Sequence, residues 1–118
     1  MKRHNFRELR VWQLAMDAID DIYQITRGFP KEEQFGLTSQ MRRSAVSIAS
    51  NLAEGCGRGT DPQLLHFSDI SQGSAFELET HAYIALHQNF CSEKILNPII
   101  IKIIDVQKMI DDFQSRYR

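Results

Sequence analysis

The stretch from Phe35 to Gly59, FGLTSQMRRSAVSIASNLAEGCGRG, constrains the fold more than any other part of the chain. At about 100° per residue, Leu37, Met41, Ala45, Ile48 and Leu52 stack into one face of an α-helix. Val46, Ala49 and Ala53 widen that face to about half the circumference, more than the single stripe of an ordinary surface helix. Opposite runs a polar row, Gln40, Arg43, Ser47, Asn51 and Glu54, with Ser44 and Ser50 beside it and Arg58 beyond. Solvated helix faces are rich in Lys and Glu, whereas this row is mostly short hydroxyls and amides. Its composition points to contact.

Three further segments carry the same period. Trp12, Ala15, Ile19, Ile22 and Thr26, flanked by Met16 and Tyr23, predict a first helix over about 8–27, stopped by Gly28-Phe29-Pro30. The second spans about 38–56, with Thr38 or Ser39 as N-cap and Gly55, Gly57 and Gly59 at its end. Asp61-Pro62 opens a third over about 62–90, a capping residue followed by proline at the first helical position. Its expected core face is Leu64, Phe67, Ile70, Ser74, Leu78, Ala82 and Ala85. The fourth, about 93–115, uses Ile95, Ile99, Ile103, Val106, Ile110 and Phe113, and Pro98 either starts it or bends it. No segment alternates with period two. Short connections between four helices predict a single all-α domain, an antiparallel up-down-up-down four-helix bundle.

The fourth helix is too apolar for a lone bundle. Ile99, Ile100, Ile101, Ile103 and Ile104 cover most of its circumference, and a helix apolar all round is buried on more than one side. Another subunit is the simplest cover, so a homo-oligomer is expected.

Charge narrows the partners. Fourteen Lys and Arg against fifteen Asp and Glu leave a net charge of −1, which gives no global pull toward nucleic acid or an acidic membrane. The basic residues are uneven, however. Lys2, Arg3, Arg7 and Arg10 crowd the first ten residues, and with Arg42, Arg43 and Arg58 they form a candidate nucleic-acid footprint. Phe6 or His4 would supply a stacking surface, and a solvated N-terminus explains the first four equally well. The N-terminus lacks the apolar core of a secretory signal, and no apolar run approaches the ~20 residues needed to span a bilayer. A cytoplasmic protein is expected. Cys56 and Cys91 sit at opposite ends of the third helix, ~40 Å apart at 1.5 Å per residue, which predicts free thiols.

Reaction-defining patterns are missing. Di-iron bundles use Glu-x-x-His on two helices, but Glu77 and His81 are four apart, and His66, His81 and His87 have no ligand spacing. His81 reads as a hydrogen-bonded structural histidine. No serine sits on a nucleophile elbow, and Cys56 lies near a helix C-terminus, where the dipole disfavours a thiolate. Gly55-Cys56-Gly57-Arg58-Gly59 lacks the Gly-Lys-Ser/Thr ending of a phosphate loop and follows a helix instead of a strand. No catalysis, metal, cofactor or small-molecule substrate is expected. For the polar row three readings stand: solvated face, subunit contact, and contact with RNA or a partner protein. Folding helices 2 and 3 back about residues 58–61 places Arg43 near Ser74 and Glu77 and Asn51 near His66, and predicts an Arg43–Glu77 ion pair within or between subunits.

Longer motifs then match a known family. These are Phe6-x-x-Leu9-x-Val11-Trp12-Gln13-x-Ala15, Phe29-Pro30-x-x-Glu33-x-x-Gly36-Leu37 and Ser39-Gln40-x-Arg42-Arg43-x-Ala45-Val46-Ser47-Ile48. They continue as Asn51-x-Ala53-Glu54-Gly55-x-x-Arg58, then Phe67, Ile70, Gly73-Ser74 and Glu77-Leu78. The chain resembles the bacterial four-helix bundle proteins encoded in intervening sequences of large-subunit (23S) ribosomal RNA genes. These are related to the accessory variability protein of diversity-generating retroelements. The match covers roughly residues 6–90, with helix 2 and Gly73–Leu78 its most specific parts. The resemblance implies an up-down bundle assembling into a ring-like homopentamer, with a role beside RNA or nucleic-acid complexes and without catalysis. The retroelement relative is strongly basic, unlike this chain. Ala49 stands where the family often has proline, which implies a straighter second helix.

The expected function is therefore a non-enzymatic, oligomeric binding or scaffold bundle, with RNA or a ribonucleoprotein as candidate partner. The alternative is a structural or protein-binding homo-oligomer without nucleic-acid contact. Because the polar row coincides with the most recognisable motif, subunit contact becomes its leading account. Gln40, Arg43, Ser47, Asn51, Glu54, Ser74 and Glu77 are the expected interface network.

Overall fold

The computed structural model describes residues 4–118, so Lys2 and Arg3 of the candidate footprint lie outside the described residues. Four helices, α1 (Arg10–Thr26), α2 (Leu37–Gly57), α3 (Asp61–His87) and α4 (Glu93–Ser115), form an antiparallel bundle measuring 47 × 24 × 19 Å. Two short 3-10 turns, Phe6–Glu8 and Lys31–Glu33, complete it, and there is no strand among the described residues. Each helix packs on its two neighbours around a square, α1 on α2 and α4, α3 on α2 and α4. The long axis runs along the helices. The α1–α2 and α3–α4 connections therefore share one end, where Phe29 and Phe90 meet at 5.6 Å between ring centroids.

The helix ends differ from the sequence expectation in instructive ways. Helix α2 begins at Leu37, before either Thr38 or Ser39, because Glu33 reaches forward and its Oε1 accepts a hydrogen bond from Leu37 N at 3.0 Å. A carboxylate there also complements the positive end of the helix dipole. Thr38 is buried instead. Helix α3 is capped by Thr60, whose hydroxyl accepts from Gln63 N, so Asp61 is its first residue and not its cap. It stops at His87, three residues short of the expectation. Asn89 adopts φ 60°, and Phe90 N–H donates to Ala85 O at 2.9 Å, closing the helix as a left-handed residue does. Helix α4 starts at Glu93 with Ser92 as cap, so Pro98 lies inside it and does not start it. Lacking an N–H, Pro98 cannot bond the carbonyl four residues back.

The core is aliphatic, with Ile22, Met41, Ile48, Leu52, Leu78, Leu96, Ile103 and Ile110 fully buried and alanines from α1, α2 and α3 between them. The seam of α3 is rotated from the expected one. Ser68, Ser71, Ser74 and Ala75 are buried, whereas Phe67 is only half-buried and Ile70 is 40% exposed. Serine enters because its hydroxyl finds a carbonyl: Ser71 Oγ donates to Ile48 O across the α2–α3 contact at 2.8 Å. In the isoleucine run, Ile99, Ile100 and Ile103 are buried within one chain, Ile104 is half-buried, and Ile101 is 60% exposed.

Candidate functional site

Small residues bring α2 and α3 together, and the polar row lines the outside of their seam. A Cβ added at Gly55 would stand 3.2 Å from both Leu64 O and Phe67 Cβ, so the helices approach closely there. Further along, Ser47 Oγ and Ser74 Oγ are 2.8 Å apart, and Asn51 Nδ2 donates to Ser47 Oγ and Ser47 O, both at 2.9 Å. Toward the loop end, Arg43 Nη2 donates to Gln40 Oε1 and lies 3.5 Å from Glu77 Oε2. The Arg43–Glu77 pair thus forms within one chain. With both side chains well exposed, its contribution is ~0–1 kcal/mol.

His81 extends this chain of contacts inward. Its Nδ1 is 3.3 Å from Ser44 Oγ and its Nε2 is 3.9 Å from Glu77 Oε2. Burial pushes the His81 pKa below 6.5; the nearby Glu77 charge opposes the shift and Arg43 adds to it. The seam thus carries two groups of polar contacts side by side, Ser47 and Asn51 of α2 with Ser74 of α3, and Gln40, Arg43 and Ser44 of α2 with Glu77 and His81 of α3. Ser44 and His81 were not singled out for it. Their signal was available, since each sits one turn along from a residue that was. Asn51 bonds Ser47 and not His66. Glu54 turns away along α2 and pairs with Arg58 at 3.4 Å.

The candidate footprint of arginines divides between the two ends. Arg7, Arg10 and Arg58 lie where α1 begins and α2 ends, with Arg7 over the Phe6 ring and Arg58 over the Phe67 ring. Arg116 joins Arg10 around a groove there. Arg42 and Arg43 stand near the other end, since α2 rises ~22 Å between Arg43 and Arg58. Arg42 is tied into the bundle: its Nε donates to Thr26 Oγ1 at 2.9 Å, and its guanidinium lies 4.6 Å over the Tyr23 ring. It is a structural link between α1 and α2.

A second polar seam, not anticipated, joins α3 to α4. Gln107 Nε2 donates to Glu79 Oε1 at 2.6 Å, and Gln72 Nε2 donates to Gln107 O and Asp111 Oδ1. Gln114 Nε2 donates to Ser68 Oγ and Asp69 Oδ1. Gln107 and Gln114, seven apart in an isoleucine-rich helix, are its only trace in the sequence.

Both cysteines are free, and burial lifts the Cys56 thiol to about 11. Among the described residues no group of three or more His, Cys, Asp or Glu could hold a metal ion, and no helix is long and apolar enough to cross a membrane.

The profile of the 23S rRNA-intervening sequence proteins matches residues 7–112. The chain belongs to that family. The intervening-sequence bundle is also similar to a solved protein of unknown function from the S23 ribosomal protein family of Bacteroides thetaiotaomicron VPI-5482. The two share 15% identity over 88% of this chain and 97% of that one, with a TM-score of 0.82, which establishes a common fold. Comparison with curated protein sequences finds no match.

Proposed function

We propose that this family member does no chemistry of its own and works as a self-associating helical scaffold. A ring of five copies is the state that the family resemblance implies. The observation that carries the reading is the large apolar surface left outside the bundle: Phe35 is 90% exposed, Ile101 60% and Phe76 53%. Side chains of this size left in water gain free energy when another chain covers them, which supports self-association. The groups with shifted pKa values support a non-catalytic role because they do not converge. Cys56 lies at one end of the bundle, Cys91 at the other, His81 in the α2–α3 seam and Tyr83 beside Glu79 of α3. Sedimentation velocity over a micromolar range should give one closed oligomer, and a monomer at every concentration overturns the reading.

RNA or a ribonucleoprotein is the second reading, favoured by Arg7, Arg10, Arg58 and Arg116 gathered at one end. Parallel copies in a ring would repeat that end on a single face and multiply weak phosphate contacts. Binding to structured RNA should then be measurable at low salt and fall steeply as salt rises. Undetectable binding at low salt leaves a scaffold for proteins alone.

A further inference from the structure

We infer that copies of this chain join head to tail around the ring, with Phe35 of one copy entering the groove between α1 and α4 of the next. The inference rests on the self-association proposed above and adds which surfaces meet. Phe35 is a knob: it lies two residues before α2 and is 90% exposed, unlike any other large apolar residue among those described. The hole is a groove of about 560 Å³ lined by Ile25, Ile95, Pro98 and Ile99, with the Asp21–Lys102 pair, 2.7 Å between charged atoms, at its rim. The proline contributes a surface without an N–H, and Ile95 is left half in water.

Position makes knob and hole a matched pair. Helices α1 and α4 form the side of the square opposite α2 and α3, so Phe35 at the start of α2 cannot fill its own groove. Both features lie at the same end, because Ile25 is in the last turn of α1, Ile95 in the first turn of α4, and Phe35 before the first turn of α2. Copies set side by side in the same direction therefore bring each knob level with the next copy's hole. Such a contact joins two different surfaces, and when its rotation closes it generates a ring.

Charge and area agree with this placement. Arg43, 63% exposed, lies ~9 Å along α2 from that end, and Asp21 and Asp17 of α1 lie ~8 and ~14 Å from it. The Asp21–Lys102 pair of one copy is thus level with the Arg43–Glu77 pair of its neighbour, and Lys31-Glu32 beside the knob is level with Glu93-Lys94 beside the hole, so opposite charges can interleave across the contact. A side of the bundle, 47 Å by 19 Å, offers roughly 900 Å² per partner, against the ~800 Å² of a standard stable interface. The α2–α3 polar row falls inside that contact.

The test uses the full chain carrying Cys91→Ser; Cys56 stays, since it is buried and its thiol is held up to about 11. With a short bis-maleimide, Phe35→Cys/Ile95→Cys should give a ladder of covalent multimers ending at the ring size. Either substitution alone should give no cross-link. Phe35→Asp, at a side chain 90% exposed in the free bundle, should keep the circular dichroism melt and raise the concentration of half-assembly at least tenfold. A cross-linked dimer from Phe35→Cys alone would mean knob meets knob and overturns the inference. So would an assembly that persists while Phe35→Asp changes nothing and the double variant fails to cross-link; self-association then stands through other surfaces. A native chain that stays monomeric removes both.

Discussion

Gly55 offers a direct measurement of how closely α2 and α3 approach. Two effects of Gly55→Ala oppose each other. Alanine in a helix interior is favoured over glycine by ~0.8–1.0 kcal/mol, less so near a helix end, and Gly55 is third from the end of α2. Against that, the new Cβ would lie 3.2 Å from Leu64 O and 3.2 Å from Phe67 Cβ. Both are tighter than ordinary contact, and the carbon–carbon distance is shorter than the ~3.5–4.0 Å optimum. Neither neighbour is the flexible tip of a side chain, so the helices themselves must part, and overpacking of this kind costs ~1–3 kcal/mol. The steric term wins, and Gly55→Ala should destabilise by about 1 kcal/mol. Gly57 is the internal control: it ends the same helix, has no positive φ, and an added Cβ there meets nothing within 4 Å. Gly57→Ala should therefore be neutral or stabilising by a few tenths of a kcal/mol. Urea unfolding followed by far-ultraviolet circular dichroism, at one protein concentration because assembly adds to apparent stability, measures both. Equal effects from the two substitutions would refute the close approach.

Other substitutions separate core, seam and titration. Ile103→Ala, at a fully buried position of the aliphatic core, should cost ~2–5 kcal/mol in the same urea assay. Gln114→Leu keeps the volume, Ser68 still donates to Leu65 O at 2.9 Å, and Asp69, 64% exposed, turns to water, so the unfolding free energy should change by under ~1 kcal/mol. Ser71→Val should cost ~1–3 kcal/mol, since it both crowds the α2–α3 contact and deletes the hydroxyl that donates to Ile48 O. Folding lowers the His81 pKa below 6.5, so the unfolded chain takes up the proton first as pH falls. Stability carried by neutral His81 should be complete above pH 6.5 and shrink below it, and His81→Gln should flatten that part of a urea-midpoint profile between about pH 7 and pH 5.

The helices were legible in the sequence because aliphatic spacing and Gly-Pro punctuation act locally. Residues Leu37 to Leu52 carry their period so strongly that the face of α2 could be assigned without its neighbours. The seam of α3 was not legible in the same way. A period counted on hydrophobicity prefers Phe67 and Ile70 to Ser68 and Ser71, whereas the fold chooses the residues that let α3 lie against α2. That choice depends on a carbonyl of Ile48 that no reading of α3 alone contains. The Glu33 cap on Leu37 and the left-handed Asn89 are likewise set by neighbours in space. Of the site, the Arg43–Glu77 pair followed from folding two helices back on one turn. The glutamines of the α3–α4 seam had no such register to announce them.

The hydrogen bonding of the polar row decides what kind of surface it makes. Gln40 already accepts from Arg43, and Ser47 is held by Ser74 and Asn51. Asn51 directs its amide back to Ser47 O, and Ser44 is engaged by Met41 O and His81. Reading a nucleic-acid base needs donors and acceptors aimed outward, as the paired amide contacts to adenine or the arginine contacts to guanine require. Here each amide has one end turned into the row, Gln40 through Oε1 and Asn51 through Nδ2, so neither offers the paired donor and acceptor that a base edge needs. The same inward bonding lowers the cost of being covered, because burying a polar group is expensive mainly when it loses its partner. A neighbouring helix can therefore lie on Ser47 and Ser74 without stranding them, provided that it offers a donor to Asn51 Oδ1. Arg43 and Glu77 at the rim, exposed and able to rearrange, can turn to the incoming chain. This favours the proposed subunit contact for the row and makes the end that carries Arg7, Arg10, Arg58 and Arg116 the place to test for RNA.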